Sequence, residues 1–396
     1  MELVVHHHNP NLIRNYSEWI NVLLESRNQA NGLVSRLNAA SDSTYKRQLS
    51  SVAVESGNAA GTSFIVNVGF GKPAKYNIPV LFDTSQDVSW IKCDYSSRSS
   101  SYKKLDCSSC YKNLEGDGVS CSGKKCILQI RTNGGSAVTA EMSEDTLWLD
   151  SQSVEKFGFG CGTDFSKYQG NSSIGLLAFG RGSLSLPSQA KSKSFSYCLP
   201  NFLDPKAKGK LSLGQDVSIP SNSKFTALVS NPKATAWYFV GLKGITVGNT
   251  TLNVAPSAFQ FTSNGGGTML DTGILISQLV QPAYDALKAA FVSQFHEAPS
   301  VQKSNFPLDT CFKYPGDLSK LKPPSITYHF QDGLDLPISK EAILTAVSES
   351  DICLAFEPSS GNNLSIIGSL QQQGYIVSVD LNSKRIGFAP VTSCSS

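Results

Sequence analysis

Residues 81–85 of this chain read Leu-Phe-Asp-Thr-Ser, and residues 269–273, 188 positions later, read Met-Leu-Asp-Thr-Gly. Each copy is followed at a similar distance by two apolar residues and a small one. Leu-Leu-Ala at 176–178 ends 95 residues after the first Asp, and Ile-Ile-Gly at 366–368 ends 97 residues after the second. An internal repeat with the same spacing in both halves predicts two similar lobes that meet across a cleft.

The two aspartates of the repeat, Asp83 and Asp271, are the candidate catalytic residues. A single Asp before a polar turn usually does no more than close a strand. Two in equivalent positions are different, because facing carboxylates at close range cannot both ionise and therefore share one proton. One carboxyl then serves as base and the other as acid. Such a pair activates water to attack a peptide carbonyl without a metal ion or a nucleophilic side chain.

The composition and residue patterns favour a mainly β protein and argue against a nucleic-acid partner and a membrane span. Of the 396 residues, 40% are hydrophobic and 16% charged, and the net charge is only +3, which gives no sign of a nucleic-acid partner. No apolar run reaches the roughly 18 residues of a membrane span. From residue 61 onward, short apolar or alternating runs between Gly, Pro, Asn and Ser predict a large, mainly β protein. The clearest helical patterns lie at 16–38 and 282–291.

The cysteines and the glycosylation motifs indicate an oxidising compartment. There are ten cysteines, five of them between residues 93 and 126, a density that favours disulfides. Four of those five could instead bind zinc, but the other six cysteines of the chain would then be unexplained. Asn-X-Ser/Thr motifs agree with secretion and begin at Asn15, Asn171, Asn249 and Asn363. The first ten residues show neither the basic nor the apolar region of a signal peptide.

Further motifs give the chain a family resemblance that covers residues 61–396. It resembles the pepsin-like aspartic proteases, in particular the plant nepenthesin-like and nucellin-like group. This resemblance implies an all-β (mainly β), bilobal acid-protease fold with two six-stranded-barrel-like lobes and a cleft between them. It also makes Asp83 and Asp271 the catalytic pair. Beyond the two Asp-Thr turns, the matching segments are residues 90–93, 157–162, 180–186, 195–199, 309–312, 353–356, 365–373 and 385–390.

The resemblance divides the chain into three parts. Residues 61–205 would form the N-terminal lobe, with the first Asp, a cysteine-rich insertion and a flap, and residues 206–396 the C-terminal lobe. Residues 1–60 resemble a prosegment. Within them, Lys46 or Arg47 could occupy the catalytic pair as in a zymogen, and a solvated basic pair in a linker is an equally good interpretation.

The resemblance also implies a disulfide scheme that uses every cysteine. The cysteine-rich insertion would hold two nested bridges, and one bridge would pin the C-terminus. The implied pairs are Cys93–Cys161, Cys107–Cys126, Cys110–Cys121, Cys198–Cys394 and Cys311–Cys353. No metal or other cofactor is predicted.

The residues beside the aspartates depart from the family pattern. Where the family has Asp-Thr-Gly-Ser, residues 83–86 read Asp-Thr-Ser-Gln. The Cβ of Ser85 is expected to crowd or tilt the loop, and Gln86 replaces the hydroxyl that bonds the catalytic carboxylate in the family. After the second Asp, the corresponding hydroxyl position is Ile274, which cannot donate a hydrogen bond. The implied active-site loop residues are Thr84, Ser85, Thr272 and Gly273.

The flap and one apolar segment differ from the family as well. The gapless alignment places the flap on residues 132–136, with Thr132 where the family has tyrosine. Ala178 ends the first apolar triplet in place of glycine. The implied substrate-binding residues of the flap are Thr132, Gly134, Gly135 and Ser136.

Two functions follow from this pattern. The first is an acid-active aspartic endopeptidase, made as a zymogen and glycoprotein, secreted to the apoplast or extracellular space or held in a vacuole. It would be a monomer that takes a peptide or protein substrate in the cleft, with turnover weakened by the departures. The alternative is a catalytically impaired binding or inhibitor protein, similar to xylanase inhibitors, that uses the cleft or loops without hydrolysis.

Overall fold

The described part of the chain is known from a computed structural model. It comprises residues 2–7, 16–39, 64–110, 119–131, 137–166, 175–201, 207–215, 217–262, 265–299, 307–360 and 364–394. In the N-terminal half the elements are β1 (Glu2–His7), α1 (Tyr16–Ala39), β2 (Phe64–Phe70), β3 (Tyr76–Asp83), β4 (Trp90–Lys92), β5 (Lys103–Lys104), β6 (Val119–Ser122), β7 (Lys125–Arg131), β8 (Ala137–Leu149), β9 (Gln152–Asp164), β10 (Gly175–Ala178), α2 (Leu186–Gln189), β11 (Ser194–Cys198) and β12 (Gly209–Gly214).

The C-terminal half is also built mainly of short strands. Its elements are β13 (Lys224–Val229), β14 (Tyr238–Val240), β15 (Leu242–Val247), β16 (Thr250–Thr251), β17 (Phe261–Thr262), β18 (Gly265–Leu270), β19 (Ser277–Leu279), α3 (Gln281–Gln294), β20 (Cys311–Lys313), β21 (Ile326–Phe330), β22 (Asp335–Pro337), β23 (Leu344–Ala346), β24 (Asp351–Leu354), β25 (Phe356–Pro358), β26 (Leu364–Ile367), β27 (Tyr375–Asp380) and β28 (Arg385–Pro390). The mainly β, bilobal fold predicted from the sequence is confirmed.

The spacing of the sequence repeat is explained by strand pairing. In the first lobe β3, which ends in Asp83, runs parallel to β10, with Leu81 opposite Leu176. In the second lobe β18, which precedes Asp271, runs parallel to β26, with Met269 opposite Ile366. Parallel neighbours need a long crossover between them, so each apolar triplet returns far along the chain to lie beside the strand that carries the Asp.

An antiparallel sheet joins the two lobes. Strand β11 pairs with β12 on one side and with β27 of the second lobe on the other. Strand β27 continues to β28, and β28 to β13. At the opposite edge β1 lies between β12 and β2, with Leu3 opposite Leu211. The segment 2–7, although part of the predicted prosegment region, therefore contributes a strand to the sheet that connects the lobes.

Aromatic side chains pack under the first Asp-Thr turn. The ring of Phe82 meets that of Phe179 edge to face, with centroids 4.8 Å apart, and lies 5.3 Å from the ring of Tyr197. Phe179 in turn lies 5.1 Å from Phe195. All four side chains are buried. Edge-to-face contacts of this kind hold strand positions firmly, so β3 presents Asp83 from a rigid base.

The two helices predicted from periodicity are confirmed. The pattern at 16–38 corresponds to α1 (Tyr16–Ala39), and the pattern at 282–291 lies within α3 (Gln281–Gln294), where Pro282 occupies the first turn. Lys46 and Arg47 of the predicted prosegment lie outside the described residues. None of the helices in the described residues combines the length and apolarity that a membrane span needs.

All ten cysteines form disulfides, and two of the implied pairs are exchanged. The bridges Cys93–Cys161, Cys198–Cys394 and Cys311–Cys353 join the cysteines that the resemblance pairs. In the insertion the bridges are Cys107–Cys121 and Cys110–Cys126, so the nested scheme is wrong there.

The cysteines of the insertion differ in burial. Cys126 is fully buried in a small apolar cluster with Leu128 and Met142, and the partly buried Cys110 packs against that cluster. Cys121, directly opposite Cys126 in the β6–β7 hairpin, is exposed, and the backbone N–H of Cys107 donates to the Lys124 carbonyl beside it. The buried Cys126 pairs with Cys110, which packs against the same apolar cluster, and the exposed Cys121 pairs with Cys107.

Candidate active site

The two Asp-Thr turns meet at the junction of the lobes through their threonines. The backbone N–H of Thr84 donates to Thr272 Oγ1 at 3.1 Å, and the backbone N–H of Thr272 donates to Thr84 Oγ1 at 3.1 Å. Thr272 Oγ1 also donates to the Phe82 carbonyl at 3.1 Å. Both threonines are buried. This reciprocal pair places the two turns face to face and leaves the preceding aspartates on the same side.

The two carboxylates flank one point in space. A Cβ added at Gly273 would lie 2.8 Å from Asp83 Oδ2 and 3.3 Å from Asp271 Oδ1. Glycine is therefore required at position 273, because any side chain would displace the carboxylate of the opposite lobe. The structure thus brings together Asp83 and Asp271, which the sequence predicts as a pair. Asp271 is fully buried, and Asp83 is partly exposed.

Ser85 does not tilt its loop, contrary to the expectation from its Cβ. The backbone N–H of Ser85 donates to Asp83 Oδ1 at 2.7 Å, and the backbone N–H of Gly273 makes the same contact with Asp271 Oδ1 at 2.8 Å. The hydroxyl of Ser85 also donates to Asp83 Oδ1, at 2.8 Å. The hydroxyl that the sequence shows as lost at position 86 is therefore supplied one residue earlier.

Matching serines support the strand ends in both lobes. Ser89 Oγ accepts the backbone N–H of Ala178 at 2.9 Å, and Ser277 Oγ accepts that of Gly368 at 2.9 Å. A Cβ at Gly368 would lie 2.6 Å from the Leu275 carbonyl, whereas the methyl group of Ala178 is accommodated and buried. The Ala178 departure therefore leaves the local architecture intact.

A buried amide holds the backbone of the second aspartate. Gln372 Nε2 donates to the Asp271 carbonyl at 3.1 Å and to the Ile367 carbonyl at 2.8 Å. Its Oε1 accepts the hydroxyl of Tyr197, from the first lobe, at 2.6 Å. Burial and the nearby Asp271 charge raise the pKa of Tyr197, so it stays neutral and acts as a donor. In the sequence, Gln372 and Tyr197 stand out only as members of the matching segments 365–373 and 195–199, and nothing there indicates their contact.

Helix α1 packs on the chain that follows Asp271. Ser26 Oγ accepts the backbone N–H groups of Leu275, at 2.9 Å, and Ile276, at 3.2 Å. Apolar side chains of α1 also join a buried group from the second lobe, here termed the α1 docking cluster. Its members are Ala30, Leu33, Val34, Trp237, Phe239, Met269, Ile274, Leu364 and Ile366. Ile274, which the sequence identifies only as a lost hydroxyl, thus provides an apolar contact for α1.

The predicted flap residues Thr132, Gly134, Gly135 and Ser136 lie outside the described residues. The described strands β7 and β8 run on either side of them, with Arg131 opposite Ala137. The site described here therefore consists of the two turns, the residues that support them and α1.

The fold and the facing Asp-Thr turns define a bilobal protein of the pepsin-like class. Comparisons with known proteins agree. The sequence profile described as xylanase inhibitor N-terminal matches residues 64–215, and the profile described as xylanase inhibitor C-terminal matches residues 237–390. Aspartic proteinase nepenthesin-2 of Nepenthes gracilis is 33% identical over 362 residues, which cover 87% of this chain and 81% of that protein.

Solved structures show the same fold at low sequence identity. Basic 7S globulin from soybean superposes with a TM-score of 0.70 at 22% identity, over 86% of this chain and 97% of that one. Aspartic proteinase from Irpex lacteus superposes with a TM-score of 0.58 at 17% identity, over 84% of this chain and 96% of that one. The chain therefore belongs to the pepsin-like aspartic protease family, within its plant nepenthesin-like group, as its motifs predict.

Proposed function

We propose that this protein is an aspartic endopeptidase in which Asp83 and Asp271 activate water against a peptide bond. The observation that carries the proposal is the closeness of the two carboxylates. The position that a Cβ on Gly273 would occupy lies 2.8 Å from Asp83 Oδ2 and 3.3 Å from Asp271 Oδ1. Carboxylates this close share a proton in acid solution, which supplies a base and an acid to the same substrate. The departures at Gln86 and Ile274 leave this arrangement in place.

The proposed reaction conditions and setting follow from the same chemistry. A carboxylate pair that must hold one proton works in acid solution, as found outside the cell or in a vacuole. Disulfides at all ten cysteines suit an oxidising compartment of that kind. The substrate would be an extended peptide or an unfolded protein bound along the cleft by backbone hydrogen bonds, and the active form would be a monomer.

Residues 1–60 are proposed to restrict access to the site in the manner of a prosegment. Ser26 and the α1 docking cluster hold α1 against Ile274 and the residues after it, and Asp271 is fully buried. A substrate carbonyl must contact Asp271 for hydrolysis, and we infer that α1, which packs on the residues just after Asp271, shifts or is removed first. Turnover is then expected after acid incubation or cleavage between α1 and β2.

The decisive experiment measures cleavage of a denatured protein from about pH 2 to pH 6, with and without the statine inhibitor pepstatin. The samples are the wild type, Asp83→Asn and Asp271→Asn, and the control is Asp94→Asn, which changes an exposed aspartate of the same lobe. Each sample is tested intact and after limited proteolysis of residues 40–63. Pepstatin-sensitive cleavage that only the first two variants lose would support the proposal. A folded, processed wild type without cleavage at any pH would contradict it.

The alternative function is a protein that binds another protein without hydrolysis. The two matching profiles, both described as xylanase inhibitor, favour it. Under this alternative the wild type and both Asp→Asn variants would be equally inactive and would bind and inhibit a xylanase equally well. An inhibition assay with these three samples therefore separates the two functions.

A further inference from the structure

The carboxylate of Asp83 receives two hydrogen bonds from a single residue. Both the backbone N–H and the hydroxyl of Ser85 donate to Asp83 Oδ1, at 2.7 and 2.8 Å. Ser85 is only 6% exposed, so bulk water competes little for its hydroxyl. Hydrogen bonds to an ionised acceptor are stronger than those between neutral groups, and two such donors favour the negatively charged form of the carboxyl group.

In the second turn, Asp271 receives the equivalent backbone hydrogen bond, but position 273 has no room for a side chain with a hydroxyl. Gly273 N–H donates to Asp271 Oδ1 at 2.8 Å. A Cβ there would lie 2.8 Å from Asp83 Oδ2 and 3.0 Å from Asp83 Cγ, so no side chain fits at position 273. The next residue, Ile274, is buried in the α1 docking cluster. Support by a hydroxyl is therefore built into the first turn and not into the equivalent positions of the second.

The position of Ser85 is set from the opposite lobe. Trp237 Nε1 donates to the Ser85 carbonyl at 3.1 Å. The indole of Trp237 is 6% exposed and packs in the α1 docking cluster. Its hydrogen bond fixes the Ser85 backbone, and with it the direction in which the hydroxyl points. Because Ser85 is anchored at both its carbonyl and its N–H, its hydroxyl meets Asp83 in a prepared geometry.

We propose that Ser85 is a positioning residue that keeps Asp83 as the charged base and leaves the shared proton on Asp271. This assignment rests on the proposed peptidase function. In the reaction, a water oxygen bonds to the carbon of the scissile carbonyl while a water proton passes to Asp83. Asp271 gives its proton to the carbonyl oxygen. The product is a gem-diol in which one hydroxyl keeps a hydrogen of the water and the other carries the proton from Asp271, and the negative charge passes from Asp83 to Asp271.

The groups that surround Asp83 are consistent with that role. Across the cleft it faces Asp271, which competes with it for the proton. Tyr197, whose ring lies 5.3 Å from that of Phe82, carries no charge of its own, because burial and the Asp271 charge raise its pKa. The hydroxyl of Ser85 is thus an uncharged donor that favours a charged Asp83, and the deeper burial of Asp271 acts in the same direction.

The test compares Ser85→Ala, which removes the hydroxyl, with Ser85→Thr, which retains one. Ser196→Ala, a buried serine on β11, is the control for loss of a hydroxyl elsewhere. All are processed identically and assayed on a denatured protein across the acid range. For Ser85→Ala, kcat is expected to fall about ten- to a hundredfold with KM unchanged. The acid side of its pH profile should move toward neutral pH, and Ser85→Thr should restore both properties.

A second readout does not depend on turnover. The unfolding midpoint of Ser85→Ala should lie below that of the wild type when Asp83 is charged, and the difference should vanish in strongly acid solution, where the carboxyl is protonated. An unchanged kcat and pH profile, or a midpoint difference that is the same at every pH, would overturn the proposal. If the wild type itself cleaves nothing, the proposed function fails together with a catalytic role for Ser85. The unfolding series still decides whether the hydroxyl stabilises the Asp83 charge.

Discussion

Arg27 of helix α1 forms a salt bridge with Glu357, which lies on β25 of the second lobe. Nη2 of Arg27 lies 2.7 Å from Oε1 of Glu357, and its Nε is 3.2 Å from both carboxylate oxygens. The Glu357 side chain is 2% exposed, and Arg27 also donates to the Pro307 carbonyl. Burial raises the pKa of Glu357 although Arg27 and Gln278 favour its ionised form. Attachment of α1 therefore combines an ion pair with the apolar docking cluster.

Removal of Arg27 should weaken this attachment. Arg27→Ala leaves the carboxylate of Glu357 buried without its cation, and should lower the free energy of unfolding by about 2 kcal/mol. The value lies below the range for fully buried pairs because the Arg27 side chain is 34% exposed. Denaturant unfolding measures the loss, and Arg27→Lys is the control that retains the charge. An Arg27→Ala protein as stable as the wild type would show that the ion pair does not stabilise the docked helix.

Charge placed in the α1 docking cluster should open the site. Leu33 is 1% exposed within the cluster, whereas Leu24 of the same helix is 41% exposed. Leu33→Asp buries a carboxylate among apolar side chains, which favours release of α1, while Leu24→Asp should have little effect. We expect the intact Leu33→Asp chain to cleave a denatured protein at least several-fold faster than the intact Leu24→Asp chain. Equal rates would argue against access control by α1.

Glu25 should make the stability of the protein depend on pH. Burial raises its pKa from the ordinary 4.5 to about 7. Between these values the folded chain keeps a proton that the unfolded chain has released. The stabilising contribution is therefore complete below the lower value and is lost as the pH rises through the upper one. Glu25→Gln should match the wild type in Tm near pH 4 and exceed it near pH 8.

The control for this pair of measurements is Glu349→Gln, which changes an exposed carboxyl on a surface loop. Its Tm difference from the wild type should be small at both pH values. If Glu25→Gln showed the same small, constant difference, burial of the Glu25 carboxyl would not be the source of the pH dependence.

The reciprocal threonine contact should be costly to remove. Thr272→Val keeps the shape of the side chain and leaves the Thr84 N–H and the Phe82 carbonyl without the hydroxyl that they contact. Two buried polar groups deprived of a partner cost about 2 to 4 kcal/mol in unfolding free energy. Thr251→Val, at an exposed position on β16, should change it by less than about 0.5 kcal/mol. Similar effects of the two variants in denaturant unfolding would contradict the role of the contact.

The two pairing schemes for the cysteine-rich insertion can be distinguished by locating one free thiol. In Cys107→Ser the structure leaves Cys121 free, whereas the nested scheme leaves Cys126 free. Trypsin cuts at the lysines 124 and 125 between these two cysteines. Alkylation under non-reducing conditions, digestion and mass spectrometry should place the label on the peptide that contains Cys121. A label on Cys126 would support the nested scheme.

Several features could be predicted from the sequence because they depend on local patterns repeated along the chain. The apolar triplets at 176–178 and 366–368 lie beside the strands that carry the aspartates, as the equal spacing of the two halves suggests. Helix α1 was visible from the spacing of Trp19 and its apolar neighbours. Patterns of this kind survive folding because each strand or helix must bury its own apolar face.

Other features depended on the direction in which side chains point. Ser85 stands one position before the serine of the family pattern, and only the folded turn shows that its hydroxyl points at Asp83. Ile274 reads as a lost donor until α1 packs against it. The pairing of Cys107 and Cys110 could not be predicted, because alternative loops of similar length cost nearly the same entropy and spacing alone does not separate the two schemes.

The sequence by itself determined that this chain folds into two related lobes, each with an apolar strand that ends in Asp-Thr, since strand formation and the repeat are written in local order and spacing. Only the tertiary structure decided that the turns meet through Thr84 and Thr272, that one turn has a hydroxyl donor where the other has no room for it, and that α1 lies on the second. Contacts between distant segments depend on distances of a few ångströms and on side-chain direction, and both are settled only when the lobes pack together.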